Sequence, residues 1–558
     1  MKSSGARIIT RLLERQGVTT LAGIPGGSNL PLYDALRESR IRHVLARHEQ
    51  GAGFIAQGMA RATGKAGVCL GTSGPGATNL VTPIADARLD SVPIVAVTGQ
   101  VPTELLGTDA FQEVDTYGLT LPITKHNFLV RRAEELLEVI PEAFRLALSG
   151  RTGPVVVDVP KDVQTQQMTV DDWPDPGAPD PPSPVRSQEI GKLARLLRTA
   201  ERPLLLAGGG VIASGGAAAL AVLARRNSIP VACTLAGLGV FPPDDPLFLG
   251  MLGMHGTRAT NLAIEEADLL IVAGARLDDR ATGKAADFCR HAVLAHIDID
   301  RAELGKIRAP DLAVHGDVAA HLAALLPLAE TNPRVSWWAQ IATIRASYPV
   351  REPSSDDPFF PPRFIRLLAA LAPERAIVAT DVGQHQMWTA QWFPIRRPRG
   401  LLTSGGLGTM GFGLPAAIGA ALALPGTPVI CVSGDGSILM NIQELATLAE
   451  TGAGVKIVLL DNGHLGLVRQ QQVLFFADRP FASSFQVRPD FCAIARGFGI
   501  PSVDLGEVSD IEGALAAALG SPGPALIRVP IHHEELVFPM VPPGGSNTEM
   551  IEEVCTHG

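Results

Sequence analysis

The 558-residue chain is short of several features that would each point to a particular class of protein. Cysteine is scarce: Cys69, Cys233, Cys289, Cys431, Cys492 and Cys555 are scattered and form no CxxC pair. That spacing argues against a disulfide scaffold or a zinc site and for buried, reduced thiols. Positive charge is in deficit, with 47 Lys and Arg against 56 Asp and Glu and a net charge of −9. A broad nucleic-acid-binding surface is therefore excluded, which leaves room only for a local basic site taking an anionic substrate. No apolar run approaches the ~20 residues needed to cross a bilayer. The opening MKSSGARIIT runs straight into an amphipathic stretch with no signal-like apolar core, so a soluble, cytoplasmic protein without membrane or nucleic-acid partners is expected. There is no short-period repeat.

What is present is a large buried surface. Hydrophobic residues make up 46 % and charged residues 18 %, with a mean hydropathy of +0.20. Such a composition excludes a disordered chain, and the length is too great for one core. Short β-rich runs alternate with longer helical patterns almost throughout, as in α/β layers built on parallel sheets. Two proline-rich stretches interrupt the pattern, WPDPGAPDPPSPV from Trp173 and YPVREPSSDDPFFPPRF from Tyr348. Proline neither continues a helix nor donates to a ladder, so these read as extended linkers. Three doubly wound α/β domains are expected, at 1–170, 185–335 and 360–540, with a C-terminal tail at 541–558.

The most informative segment is PVICVSGDGSILMNIQELATLAETGAGVKIVLLDNGHLG. The apolar run 429–432 predicts a buried parallel strand, followed by a tight turn at Gly434-Asp435-Gly436. A helix is expected next, with Ile438, Ile442, Leu445 and Ala449 on one face, and then a second strand ending at Asp461-Asn462. A right-handed strand–helix–strand unit brings Asp435 and Asn462 to neighbouring strand ends, the edge where open α/β sheets bind ligands. Magnesium prefers hard oxygen ligands and takes few protein groups alongside phosphate oxygens. A carboxylate, an amide oxygen, glycines that admit phosphate to backbone N–H groups and a helix N-terminus together suit a metal-bridged diphosphate. GDG alone would be an ordinary turn; GDG with Asn462 after the 25 residues 437–461 is far more specific.

This pattern resembles the thiamine-diphosphate signature. The resemblance implies Asp435 and Asn462 as metal ligands, and the backbone carbonyl of His464 as a third. The His464 imidazole is the less suitable donor, because magnesium disfavours nitrogen. A thiamine enzyme also needs a glutamate that hydrogen-bonds the aminopyrimidine, held at a helix start in an apolar pocket where its pKa can rise. RHEQGAGFIAQGMAR supplies one: Glu49 stands just ahead of a buried helix face formed by Ala52, Ile55, Ala56, Met59 and Ala60. Taken alone, such a glutamate is more often a surface residue offsetting the helix dipole.

With TSGPGATN following, the segment is similar to the pyrimidine domain of acetohydroxyacid (acetolactate) synthases, whose Gly74-Pro75-Gly76 turn approaches the cofactor. The likeness extends through GIPGGSNLPLYDAL, GTDAFQEVDT, GPVVVDVPKDVQ, GARLDDRATGK, HIDIDRAELGK, TDVGQHQMW, LTSGGLGTMGFGLPAAIGAAL and VPPGGSNTEM, nearly the whole chain. It implies a thiamine-diphosphate-binding fold in which pyrimidine and diphosphate domains flank a Rossmann-like FAD domain. It also implies thiamine diphosphate, Mg²⁺ and FAD as cofactors, with no net redox role for the flavin. A homodimer or tetramer follows, because Glu49 and the GDG motif meet across a subunit interface, and a small regulatory subunit is a further expected partner. The implied reaction decarboxylates pyruvate and joins the fragment to a second pyruvate or 2-ketobutyrate, in branched-chain amino acid biosynthesis.

At matching positions the resemblance assigns Val382, Gly383, Gln384, His385, Gly408, Met410, Gly434, Gly436, Ser437, Leu465 and Gly466 to thiamine diphosphate. Met410 would wedge between its rings, and His385 as a general base is the competing reading. Gly26, Phe111, Gln112 and Lys161 would line the substrate channel from the partner subunit. Arg151, Gly208, Gly210, His255, Gly274, Arg276, Arg280, Asp298 and Asp317 would bind FAD. Arg276 could also hold the second keto acid's carboxylate, or simply pair with Asp278 or Asp279. The chain departs from the family's RQWQ segment by reading RQQQ, with Gln471 in the tryptophan position, and a weaker bias toward 2-ketobutyrate is expected. Rival readings are a pyruvate oxidase, a glyoxylate carboligase (a group that lacks this glutamate) and a non-catalytic homologue.

Overall fold

A computed structural model describes residues 2–350 and 355–553. Positions 351–354 of the second proline-rich stretch, Cys555 and the end of the expected tail lie outside the described residues. Three six-stranded sheets, all parallel, follow one another along the chain. The first contains β1 (Thr20–Gly23), β2 (Arg42–Leu45), β3 (Gly67–Gly71), β4 (Ile94–Gln100), β5 (His126–Leu129) and β6 (Val155–Pro160), in spatial order 2-1-3-4-6-5.

The middle sheet comprises β7 (Pro203–Ala207), β8 (Val231–Cys233), β9 (Phe248–Met251), β10 (Leu269–Ala273), β11 (Val293–Asp298) and β12 (Leu312–His315). Its order is 9-8-7-10-11-12, the arrangement of dinucleotide-binding folds. The third sheet has β13 (Ile377–Thr380), β14 (Leu401–Leu402), β15 (Val429–Gly434), β16 (Val455–Asp461), β17 (Ser502–Asp504) and β18 (Ala525–Pro530), ordered 14-13-15-16-18-17. First and third sheets therefore repeat one topology. Central strands such as β4, β7 and β16 are buried along their whole length, as parallel strands covered on both faces must be.

The outer domains share a core. Ile55 and Met59 of the first pack in one cluster with Leu414 and Ile418 of the third. The helix Glu49–Thr63 crosses the helix Gly413–Ala423 at very close range. A Cβ on Gly58 would lie 2.0 Å from the Ala416 carbonyl oxygen, and one on Gly419 2.0 Å from that of Ile55. Only glycine at both positions lets the two backbones meet.

Two expectations change in detail. The single helix expected after Asp435 is two, Asp435–Ile438 and Glu444–Thr451. Between them the backbone tightens into i→i+3 bonds, such as Met440 to Ser437 and Glu444 to Asn441. Asn441 leaves the helical path to donate its amide to the Gly411 carbonyl at 2.7 Å. The first proline-rich stretch has no regular structure but is tied down: Pro174 O accepts from Arg15, and Asp180 pairs with Arg145. Five cysteines are buried and free. Among the described residues no helix is long and apolar enough to cross a membrane.

Candidate active site

Because all three sheets are parallel, the loops after their strands gather on one edge of each, and the candidate residues follow strand ends almost without exception. Gly26, Glu49, the 74–76 turn, Gln112 and Lys161 come after β1, β2, β3, β4 and β6. His385, Met410, Asp435 and Asn462 come after β13, β14, β15 and β16. In the third sheet chain order reverses between β13 and β15, and ligands of open α/β sheets bind at that switch point.

One pocket opens there, lined by Val382, Gly383, Gln384 and His385 from one loop, Gly434, Asp435, Gly436 and Ser437 from the next, and Asn462, His464, Leu465 and Gly466 from the third, with Met410 above. The loops are cross-tied. Ser437 Oγ donates to the Val382 carbonyl at 2.7 Å, and the Gly463 N–H to Asp435 Oδ2 at 2.7 Å. Asn462 Oδ1 accepts from the His464 N–H at 2.9 Å, while its Nδ2 donates to Gln384 Oε1 at 3.3 Å. The His464 ring is occupied elsewhere, with Nδ1 2.9 Å from the Asn462 carbonyl and the ring stacked on His533. Gly408 lies in the same loop as Met410 but does not line the pocket; its φ of +69° requires a glycine-like backbone. Gln471 does not line it either, although Val468, one turn earlier on the same helix, does.

The electrostatics suit a cation and a polyanion. Burial, then the nearby Asp461, pushes the Asp435 carboxyl up to about 7, as expected of a buried carboxylate lacking a counter-charge. His385 is pushed down to about 3 by burial, and its Nε2 is buried with no hydrogen-bond partner. Gly434 makes room for that ring, since a Cβ there would lie 2.8 Å from His385 Nδ1. A neutral imidazole with an orphaned nitrogen, a carboxylate, an amide and a glycine-lined floor fit a magnesium-bridged diphosphate, and fit poorly with His385 as a general base at neutral pH.

Glu49 is not in this pocket. It opens the helix Glu49–Thr63 as a buried carboxylate, and its Oε2 accepts from Asn79 Nδ2 at 2.9 Å. A Cβ on Gly76 would come within 3.3 Å of its Oε1, and one on Gly74 within 2.8 Å of the Gln112 carbonyl. Glu49, the 74–76 turn and Gln112 thus form a second group on the first domain, near the edge that carries Gly26 and Lys161. Phe111 is 88 % exposed there. Sequence reasoning overlooked Asn79, although it closes the TSGPGATN segment. It also overlooked Gln470, whose Oε1 accepts from Gln384 at 3.1 Å and from the Val537 N–H at 2.8 Å.

In the middle sheet the switch point falls between β7 and β10, and the glycines cross there: a Cβ on Gly210 would lie 2.7 Å from Gly274 Cα, and one on Gly208 2.2 Å from its carbonyl. This tight crossing at a dinucleotide-type switch point fits a flavin dinucleotide. Burial pushes His255 down to about 4 and Asp298 up to about 6. Arg280 is largely exposed, and Arg276 lies 3.7 Å from Asp278, a loose pairing that leaves the guanidinium available. Asp317 caps the helix Val318–Leu325. Arg151, before β6 rather than after it, ties the first domain to the middle one through Asp300 at 3.0 Å and Glu303 at 2.7 Å.

Fold and pocket together define a thiamine-dependent enzyme. The chain matches the family of thiamine pyrophosphate enzymes in three parts: the N-terminal TPP binding domain at 3–119, the central domain at 190–325 and the C-terminal TPP binding domain at 381–529. It is 55 % identical over 552 residues to the acetolactate synthase isozyme 1 large subunit of Escherichia coli K12, covering 99 % of this chain and 98 % of that one. Identity to the isozyme 2 large subunit of the same organism is 48 %, over 99 % and 100 % of the two chains. The chloroplastic acetolactate synthase of Arabidopsis thaliana is 44 % identical, over 98 % of this chain and 84 % of its own. The chain belongs to the acetolactate synthase large-subunit family of thiamine pyrophosphate enzymes.

Proposed function

We propose that the chain is the catalytic subunit of an acetolactate synthase: it decarboxylates pyruvate and joins the two-carbon unit to a second pyruvate, giving 2-acetolactate, or to 2-ketobutyrate, giving 2-aceto-2-hydroxybutyrate, in the synthesis of branched-chain amino acids. The observation that carries this reading is the convergence of Asp435, Asn462 and the orphaned His385 Nε2 in one pocket at the switch point. The cofactor, when bound, supplies the electron sink for breaking and making the carbon–carbon bonds.

The protein's own groups do the rest. Asp435, the Asn462 side chain and the His464 carbonyl hold magnesium, and the loops at 382–385 and 434–437 hold the diphosphate. Met410, which lines the pocket, would orient the cofactor there. Glu49, a buried carboxylate held by Asn79, would hold or move the proton at the pyrimidine ring of a cofactor carried by a partner copy. The composition of the pocket, which takes no residue from the first domain, supports a homodimer as the minimum active unit. Arg276 holds the acceptor's carboxylate, with Gly26, Phe111, Gln112 and Lys161 along the channel and Gln471 facing the acceptor. The glycine crossing of the middle domain would hold FAD, with no net redox role. The Escherichia coli relatives are named large subunits, which supports a small regulatory partner.

The test is product identification from the purified chain given pyruvate, thiamine diphosphate, Mg²⁺ and FAD. Acetolactate is expected. Oxygen- or quinone-dependent flavin turnover would identify a pyruvate oxidase instead, and absence of CO₂ release a non-catalytic homologue.

A further inference from the structure

Met410 reaches the pocket from the loop 403–412. Thr380 and Gln386 of its own domain hold the start of this loop, at Thr403 and Ser404, and the first domain holds it from Thr403 to Thr409. Asp86 is completely buried, and one of its oxygens accepts from both Ser404 Oγ and, at 2.9 Å, Thr409 Oγ1. Asp90 accepts from the N–H groups of Gly405 at 3.0 Å and Gly406 at 2.7 Å. Arg61 bridges the two carboxylates, at 3.1 Å and 2.9 Å, donates to the Thr403 carbonyl at 2.9 Å and lies over the Phe412 ring. On the other side Gly411 is held within the third domain, its N–H donating to Asp381 at 2.8 Å and its carbonyl accepting from Asn441 at 2.7 Å. Met410 therefore stands between two anchored neighbours, Thr409 bound to one domain and Gly411 to the other.

Stability is a weak reason for such a cluster. Desolvation of buried charges offsets much of their attraction, and apolar packing would serve a domain contact as well. What the cluster supplies is direction, since each carboxylate oxygen receives particular donors of one loop. We propose that Asp86, Arg61 and Asp90 are positioning residues, a clamp through which the first domain sets the 403–412 loop and hence Met410 over the diphosphate pocket. The clamp rests on the acetolactate synthase reading only for its effect on turnover.

Two full-length variants test it, Asp86→Asn, whose single acceptor oxygen can serve the two hydroxyls or Arg61 but not both, and Thr409→Val, which keeps shape and removes one of those hydroxyls. Hydrogen exchange of peptides covering 403–412, measured without cofactors, should quicken by about tenfold in both, with the sheet strands of the first and third domains unchanged. In the loaded enzyme each variant should lower kcat while KM for pyruvate stays within about twofold. Combined with Met410→Ala, neither should lower kcat further, because the clamp acts through Met410. Unchanged exchange in the loop, or effects on kcat that multiply with those of Met410→Ala, would overturn the clamp. A wild-type chain that makes no acetolactate would overturn the functional reading alone, and the exchange measurement would still decide the clamp. Should Asp86→Asn not fold, Thr409→Val carries every arm.

Discussion

Replacing Gly466 by alanine sets local propensity against tertiary contact. Gly466 opens the helix Gly466–Phe475, where alanine is favoured over glycine by about 1 kcal/mol. The surroundings oppose the change, because a Cβ there would lie 2.0 Å from Gln384 Oε1 and 2.8 Å from Asn462 Nδ2. Gln384 cannot simply turn aside. Its amide donates to Gln470 Oε1 at 3.1 Å and to the Glu535 carbonyl at 2.8 Å. Leaving one such buried group unpaired costs ~1–3 kcal/mol, and overpacking adds about 1–3 kcal/mol. After the propensity gain, a net loss of about 3 kcal/mol remains. At roughly 2–4 °C per kcal/mol for a domain of this size, Gly466→Ala should lower the melting temperature by about 6–12 °C. Displacing Asn462 should also weaken magnesium-dependent binding of thiamine diphosphate by at least about tenfold, or ~1.4 kcal/mol. The fluorescence of Trp388, which is buried against the pocket, reports that binding. A variant that melts no lower than the parent and binds the cofactor equally well would refute the reasoning, for propensity would then have outweighed contact.

Glu49→Gln keeps an acceptor for Asn79 and should bind cofactor normally while turnover with pyruvate falls by about 10²–10⁴-fold; near-normal turnover would remove its role. Gln471→Trp restores an apolar contact for the extra methyl of 2-ketobutyrate. At ~0.8 kcal/mol per buried methylene, the ratio of acetohydroxybutyrate to acetolactate in a competition assay should rise roughly fourfold, and an unchanged ratio would place Gln471 away from the acceptor. Asp158, bonded to Thr98 and Gln100, is pushed up to about 7 by burial. The native state therefore keeps a proton there that the unfolded chain loses near pH 4, so this group's contribution to stability falls as pH rises from about 4 to about 7. Urea unfolding of wild type and Asp158→Asn should show the wild type losing ground to the variant across that window; a constant difference would contradict the assignment.

Much of the site was legible because its chemistry is written in short segments at strand ends. GDG after an apolar run, Asn after the next one and Glu before a buried helix are local patterns, and a parallel sheet delivers all its strand ends to one edge. The glycines at 208, 210, 274 and 434 were legible for the same reason. What eluded sequence reasoning depended on distant partners. The helix after Asp435 breaks because Asn441 is drawn to Gly411, thirty residues earlier in the chain. Asp86, which no motif marks, matters because Ser404 and Thr409 fold back onto it. Arg151 stands before its strand and bonds to the middle domain, a pairing that no spacing reveals.

By itself the sequence determined the three α/β units, the order of their strands and helices, and the residue types at the edge of each sheet, because these follow from apolar periodicity and turn chemistry within about thirty residues. Only the tertiary structure decided that Asp435, Asn462 and His385 share a pocket from which Glu49 is absent, that glycines let two helices weld the outer domains together, and that the loop of Met410 is held from the first domain. Those outcomes rest on contacts between segments from about thirty to more than three hundred residues apart, where close approach of backbone and buried hydrogen bonds, rather than local preference, set the free energy.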